Sequence, residues 1–358
     1  MKAICFAMTN HGFGHTTRTA SVMAAVHALR PDLPQIAVTT APRWLLDSYL
    51  RSPYTYHPQA WDVGVIQADS FTLDRSTTLA RWQDFQQATA QRVTQAVAFL
   101  HAHNVQLLVA DMPPLAAVIA EAAGIPCWFV GNFGWDFIYR DWGGPFCDLA
   151  DALTSQYQRG DRLFRLPFHE PMATFANVTD VGFTGGSPRY EGPALRSRLG
   201  LAADRPTALL TFGGLGLQGV PYQNLASFPD WQFLTFDRDA PTVPNLFPLC
   251  GRDLRPVDVL PLCDRLVAKP GYSTLSEACR LAVPTICLTR ENFAEAPFLL
   301  QGLQQWNAHR IVRAQDFYQR PWDFLTAPLI PAIAPETRPD RHGEKAIAAA
   351  IVDFLAGV

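Results

Sequence analysis

The stretch Lys269-Pro270-Gly271-Tyr272-Ser273-Thr274-Leu275-Ser276-Glu277 decides how this chain is read. The apolar run Leu266-Val267-Ala268 leads into it, and a helical pattern leaves it. Strand, short glycine-containing turn, then helix is a layout that aims backbone N–H groups at a phosphate. A cation stands before the turn, where it can meet phosphate. A carboxylate stands at the start of the helix, where it can meet ribose hydroxyls. A nucleotide sugar would suit that pair. The same residues also hold Thr274-x-x-Glu277, a capping box that starts helices with no ligand at all.

Working outward, the pattern is α/β on both sides. Residues 207–212, 231–236, 266–268 and 285–288 read as strands, and 344–355 as a closing helix. Residues 183–206 are rich in Gly, Pro, Ser and Arg and read as a linker. Upstream, strands at 3–8, 35–39, 105–110 and 127–130 alternate with helices at 16–29, 44–50, 79–103 and 115–123. Pro31, Pro34 and Gly124 punctuate the helix ends. This rhythm gives parallel sheets with helices on both faces. The expected division is a first Rossmann-like domain at 1–185, a second at 186–343, and a terminal helix at 344–358 placed to return to the first. Ligands in such sheets lie at the carboxyl ends of the strands.

Three of those ends carry candidate chemistry. The first is Asn10-His11-Gly12-Phe13-Gly14-His15-Thr16-Thr17-Arg18, between a strand and a helix. Its glycines allow a tight turn, but Thr17 stands where a dinucleotide fingerprint needs a third glycine. A helix start favours a neutral, basic imidazole, so His15 is either a general base for a hydroxyl or a simple cap. The second is Asp111, which closes the strand at 105–110. It can orient His15 as a carboxylate orients the histidine of a hydrolase triad, or bond its own turn. The third is Gly213-Gly214-Leu215-Gly216, whose N–H groups can cradle a diphosphate. Asp237-Arg238-Asp239 follows a strand and precedes a proline, and reads as a turn, not a metal site. Trp128, Phe133, Trp135, Phe137, Tyr139 and Trp142 crowd one region, either as a wall for a ring-bearing acceptor or as core.

Composition narrows the class. The 358 residues are 48% hydrophobic and 17% charged, ordinary for a globular protein. A net charge of −3 offers no basic surface for nucleic acid. The seven cysteines occur singly, mostly in apolar runs, and read as thiols of a reducing, cytoplasmic setting, not as a disulfide frame or zinc site. No run of about 18 apolar residues suggests a membrane span.

The chain resembles the glycosyltransferase-like N-terminal half of plant-type L-arabinokinases and their stand-alone bacterial relatives. The likeness is carried by residues 11–18, Gln67-Ala68-Asp69 with Leu73-Asp74-Arg75, and Asn132-Phe133-Gly134-Trp135-Asp136-Phe137-Ile138-Tyr139. Further on come Arg165-Leu166-Pro167 with Pro171-Met172, residues 269–277, and Arg290-Glu291-Asn292-Phe293 with Glu295-Ala296-Pro297-Phe298-Leu299. The second half is more loosely similar to the wider GT-B superfamily. The resemblance implies two Rossmann-like domains with parallel sheets facing across a cleft. It implies metal-independent, inverting transfer from a nucleotide sugar, a UDP-sugar being favoured, with no cofactor. By it, Gly213, Gly214 and Gly271 to Thr274, Ser273 included, approach the diphosphate beside Lys269. Glu277 takes the ribose, and Asn292 with Glu295 reaches the donor sugar. His15, helped by Asp111 or Asp136, is the expected base. His11, Phe13, Asp69, Phe133 and Trp135 are the acceptor-side candidates, for a small-molecule or lipid-like acceptor. Glu295 departs from the Asp-Gln pair of many relatives. No segment offers the phosphate-binding loop of the kinase half of L-arabinokinase, so kinase activity is not expected. Two alternatives keep the fold: a nucleotide-sugar-sensing module without turnover, and a nucleotide-sugar epimerase.

Overall fold

The computed structural model describes residues 2–357. The first half runs β1 (Ala3–Met8), α1 (Gly14–Leu29), β2 (Gln35–Val38), α2 (Arg43–Tyr49), β3 (Thr55–His57), α3 (Arg75–Gln87), α4 (Thr89–Ala102) and β4 (Val105–Asp111). It continues through α5 (Leu115–Ala123), β5 (Cys127–Gly131), α6 (Trp135–Trp142), α7 (Phe146–Tyr157), β6 (Arg162–Arg165) and β7 (Val178–Asp180). The second half begins with α8 (Gly192–Arg198), β8 (Thr207–Thr211), β9 (Gln232–Thr235), β10 (Leu246–Pro248), α9 (Pro256–Val259) and β11 (Arg265–Ala268). It ends with α10 (Tyr272–Leu281), β12 (Thr285–Leu288), α11 (Ala296–Trp306), β13 (His309–Val312), α12 (Ala314–Gln319) and α13 (Gly343–Ala356).

The strands form a seven-stranded sheet, β3-β2-β1-β4-β5-β6-β7, and a six-stranded sheet, β10-β9-β8-β11-β12-β13. Every pairing is parallel. Parallel strands with both faces covered read as near-continuous apolar runs, as in β1, where all six residues are buried. In each sheet the strand order reverses once, between β1 and β4 and between β8 and β11. Those reversals leave crevices at the strands' carboxyl ends.

One apolar cluster spans both halves. It joins Ile4, Phe6 and Met23 to Leu275, Leu299 and Leu303, and to Ile347 and Ile351 of α13, which lies against α1. The helix expected over 79–103 is two, α3 and α4, broken at Ala88 (φ −97°, ψ 6°). The first buries Trp82 and Phe85, the second Ala96 and Leu100. The linker region holds a short helix, α8, with a proline in its first turn.

Candidate functional site

Register brings the first cluster together. Met8 at the end of β1 pairs with Asp111 at the end of β4, and α1 starts six residues after β1 ends, so His15 in its first turn lies over Asp111. His15 Nδ1 is 2.7 Å from Asp111 Oδ1. With Nδ1–H donating to the carboxylate, Nε2 is the ring's free acceptor. No protein partner for Nε2 is found among the described residues.

Arg18, one helical turn on and on the same face, donates from both Nε and Nη2 to Asp111. Thr19 Oγ1 donates to Asp111 Oδ2 at 2.7 Å. Burial alone would raise the Asp111 carboxyl, but the Arg18 guanidinium and His15 outweigh it and hold it down to about 2. Arg18 Nη1 donates to Asn132 Oδ1 at 2.7 Å, and Asn132 Nδ2 donates to Glu295 Oε1 at 2.8 Å. A chain of hydrogen bonds thus runs from His15 in the first half to Glu295 in the second.

The second sheet repeats the arrangement. Thr211 pairs with Ala268, so the glycine loop after β8 and Lys269 after β11 are neighbours. A Cβ on Gly213 would lie 3.1 Å from Lys269 Cε, and Gly213 itself has φ +78°. Burial first, then the nearby Arg290, lowers the Lys269 ammonium to about 8. Helix α10 starts at Tyr272 with Gly271 as its cap. Its first N–H groups have no intrahelical acceptor, and Gly271 to Thr274 line the same cavity as Lys269.

That cavity, about 540 Å³, lies between the halves and is lined by His11, His15, Lys269, Glu277, Arg290 and Glu295, with both glycine loops. Ser273 Oγ donates to the Gly14 carbonyl at 2.9 Å. Phe13 packs on Gly214 so closely that a Cβ there would fall 2.3 Å from the ring. Gly214 is therefore a site of contact between the halves as well as part of the loop.

Several expectations change. Asp136 does not assist His15. Its carboxylate accepts from Thr154 Oγ1 at 3.0 Å and Thr174 Oγ1 at 2.8 Å, so Asp111 is the histidine's partner. Trp135 is fully buried and donates to Asp62 at 3.1 Å, which makes it core and not an acceptor wall. Asp69 is held by the N–H groups of Phe71, at 2.9 Å, and Thr72, at 2.8 Å, within its own turn. Asn292 is exposed at φ +63° and shapes a turn, while its neighbours Arg290, Phe293 and Glu295 face the cavity. The capping box is not formed. Thr274 lies inside α10, and Glu277 Oε1 accepts from Gly186 N at 3.0 Å and Tyr49 at 3.2 Å. Burial pushes the Glu277 carboxyl up to about 7. Phe133 and His11 do face the cavity. Phe133 meets His15 edge-on at 5.8 Å, and His11 stacks on Phe293 at 6.0 Å. Burial, then His15, Arg290 and Lys269, hold the His11 imidazole well below its usual range. In Asp237-Arg238-Asp239, Asp237 accepts from Tyr222 and from the Asp239 N–H, as a turn does.

Sequence reasoning gave no role to Arg18, Asn132, Asp62, Tyr49 or Arg290. The i+3 spacing from His15 and the strand-end position of Asn132 were signals for two of them. Tyr49 and Asp62 are brought in by the fold from segments with no local signature.

Two Rossmann-like halves, with glycine-loop crevices facing one cleft, define the GT-B architecture. No family model matches the chain. L-arabinokinase of Arabidopsis thaliana is 29% identical over 330 residues, 90% of this chain and 32% of that protein. The UDP-N-acetylglucosamine–N-acetylmuramyl-(pentapeptide) pyrophosphoryl-undecaprenol N-acetylglucosamine transferase of Leifsonia xyli is 31% identical over 183 residues, 45% of this chain and 47% of that one. The chain thus spans less than half of the length of the curated relatives it matches. Among solved structures, UDP-glucose:anthocyanidin 3-O-glucosyltransferase in complex with UDP superposes with a TM-score of 0.64 at 12% identity, covering 100% of both chains. Phytolacca americana UGT2, complexed with UDP-2-fluoro-glucose and pterostilbene, gives 0.63 at 14%, covering 100% of this chain and 99% of that one. A putative UDP-N-acetylglucosamine 2-epimerase from Listeria monocytogenes gives 0.58 at 12%, covering 100% and 98%. At these identities the likeness is one of fold.

Proposed function

We propose that the chain is a glycosyltransferase, moving a sugar from a nucleotide-sugar donor, UDP-linked by preference, to a hydroxyl of a small-molecule or lipid-like acceptor. The observation that carries this reading is the His15–Asp111 pair, whose histidine lines the same cavity as Lys269 and the α10 N-terminus. Asp111 holds Nδ1, so Nε2 is the atom that takes the acceptor's proton. The acceptor oxygen forms its bond to the anomeric carbon as the bond to the diphosphate breaks on the opposite face, which inverts the configuration. The diphosphate leaves against Lys269 and the free N–H groups of α10 and of the glycine loop. That is preorganised electrostatic stabilisation, without a metal. Glu277 supports a ribose contact, because only its Oε1 is bonded by protein. The seven unpaired cysteines suit a reducing, cytoplasmic location. Among the described residues no helix is long and apolar enough to cross a membrane.

A thermal-shift screen with UDP, dTDP, GDP and ADP sugars comes first, since a ligand that binds the folded state raises its stability by mass action. The expected hit is a UDP-sugar, and no shift with any of them removes the donor-site reading. His15→Ala is then expected to lower transfer by about 10²–10⁴, with EDTA having no effect. The epimerase-like neighbour supports a second reading. Product analysis without any acceptor distinguishes the two, because epimerisation yields a new nucleotide sugar and transfer requires the acceptor. Tight binding with neither product would indicate a sensing module.

A further inference from the structure

Arg290 follows β12 by two residues, and Lys269 follows β11 directly. The two strands are neighbours, with Ala268 paired to Cys287, so both cations emerge side by side into the cavity. Arg290 is only 8% exposed. Its Nε and Nη2 are buried and have no hydrogen-bond acceptor. Its guanidinium lies over the Phe293 ring at 3.9 Å, and Phe293 in turn stacks on His11, which fixes the side chain at the junction of the halves.

Buried guanidinium N–H groups without acceptors are costly and rare. Among the described residues no hydrogen-bond acceptor answers these. Glu291, next in sequence, is exposed, and Glu295, whose charge acts on Arg290 together with that of Asp69, accepts through Oε1 from Asn132. Asp69 is held in its own turn. Among the described residues neither Arg290 nor Lys269 forms an ion pair. The two cations oppose each other, and burial together with this neighbour holds Lys269 low. A planar fork beside a point charge is the arrangement that grips one oxyanion from two sides.

We propose that Arg290 and Lys269 form a two-cation seat for a substrate oxyanion at the sugar end of the cleft: the distal phosphate of a nucleoside diphosphate, or a carboxylate on the sugar, as in a hexuronic acid. The seat rests on the nucleotide-sugar reading above and gives that site its anion selectivity. It also accounts for Arg290 being arginine, since a lysine there would supply charge but no fork.

The test uses the full chain and two variants, Arg290→Gln and the apolar, similarly shaped Arg290→Met. Calorimetry measures UDP, UMP, UDP-glucose and UDP-glucuronate. If the seat holds the distal phosphate, both variants weaken UDP at least ~10-fold and leave UMP within ~2-fold. If it holds a carboxylate, the native protein prefers UDP-glucuronate to UDP-glucose by at least ~10-fold, and both variants abolish that preference while binding UDP normally. Without ligand, Arg290→Met is expected to melt at a higher temperature than the native protein, because an unpaired buried charge is gone. Native binding of these ligands that neither variant changes by more than ~2-fold overturns the seat. If the native protein binds no nucleotide, the nucleotide-sugar reading fails separately. Inorganic pyrophosphate and glucuronate then decide the seat: binding that Arg290→Gln abolishes keeps it, and no binding of either overturns it.

Discussion

Replacing Asp111 with Asn tests the centre of the first cluster. Asp111 and Arg18 are 1% and 2% exposed, so the pair has almost no access to solvent. The substitution keeps the shape and a hydrogen-bonding oxygen but removes the one carboxylate that, among the described residues, pairs with Arg18. Two routes give the size of the effect. The carboxyl falls from 3.8 to about 2 on folding, which corresponds to ~2 kcal/mol of stability. Breaking a buried ion pair by removing one partner typically costs ~3–5 kcal/mol. The expected loss for Asp111→Asn at neutral pH is therefore ~2–4 kcal/mol, read as a lower urea midpoint. The sign with pH follows from the depressed value. The stabilisation is full above the ordinary carboxyl range and disappears as pH falls through about 2. The difference between variant and native should shrink in the same window. His15→Gln, which leaves the Arg18–Asp111 pair intact, is expected to cost less than ~1.5 kcal/mol. Replacing both Arg18 and Asp111 with apolar residues should recover much of the loss, giving a coupling of at least ~2 kcal/mol. If Asp111→Asn unfolds within ~0.5 kcal/mol of the native protein at neutral pH, Asp111 does not hold the charge of Arg18, and the polar chain between the halves is wrongly assigned.

Three further outcomes follow from the cleft. Gly214→Ala would place its Cβ 2.3 Å from the Phe13 ring, so a loss of ~1–3 kcal/mol is expected in thermal unfolding. Adding Phe13→Ala should restore much of it, and no rescue would separate Gly214 from Phe13. Diphosphate binding should depend on Lys269, whose ammonium, facing Arg290, Glu295 and His11, is lowered by burial and by Arg290 to about 8. An anion raises that value, so UDP affinity should be flat from about pH 7 to about pH 8, above the phosphate's own second ionisation at ~6, and fall up to ~10-fold per pH unit above it; a profile unchanged in Lys269→Met would refute the contact. Asp62, raised by burial to about 7 against the bonds from Thr9 and Trp135, binds its proton more tightly folded than unfolded. Stability should therefore fall as pH rises from 3.8 to about 7. Asp62→Asn should be ~2–4 kcal/mol more stable than native at about pH 8 and equal to it at about pH 4; equal melting at both would show that no charge is buried there.

The fold and the ends of its strands were legible because parallel α/β sheets write themselves as apolar runs alternating with helical spacing, and because glycines mark the crevices. The loops after β1, β8 and β11, with His15 and Lys269, and Asp111 at the end of β4, could be located on that basis alone. What could not be read was direction. Asp111 and Asp136 both follow strands into helices, and only the β1–β4 register assigns the histidine to one of them. Trp135 and Phe133 are two residues apart, yet one is core and the other faces the cavity. Contacts across the halves leave no local mark, so Phe13 against Gly214 and Ser273 against Gly14 were invisible. The single helix expected over 79–103 fails for a related reason: periodicity passes through Ala88, while the two apolar faces are buried separately.

The polar groups of the cleft are unequally engaged, and this constrains any ligand. Its carboxylates already hold donors: Asp111 has four, Glu295 has Asn132, and Glu277 has Gly186 and Tyr49. Lys269, Arg290 and the first N–H groups of α10 face the same cavity with no hydrogen-bond acceptor among the described residues. A cationic or donor-rich ligand would leave these groups unanswered, and each buried unmade bond costs ~1–3 kcal/mol. An acceptor-rich, anionic ligand answers all of them at once. His15 Nε2, in the first half, is an acceptor with no protein partner among the described residues, and in the proposed reaction it takes a proton from a neutral hydroxyl. In the proposed transfer, the free donors suit the anionic nucleotide sugar and the His15 nitrogen suits the acceptor hydroxyl. Transfer between an anionic donor and a hydroxyl-bearing acceptor needs that pairing, and simple recognition of a nucleotide sugar does not.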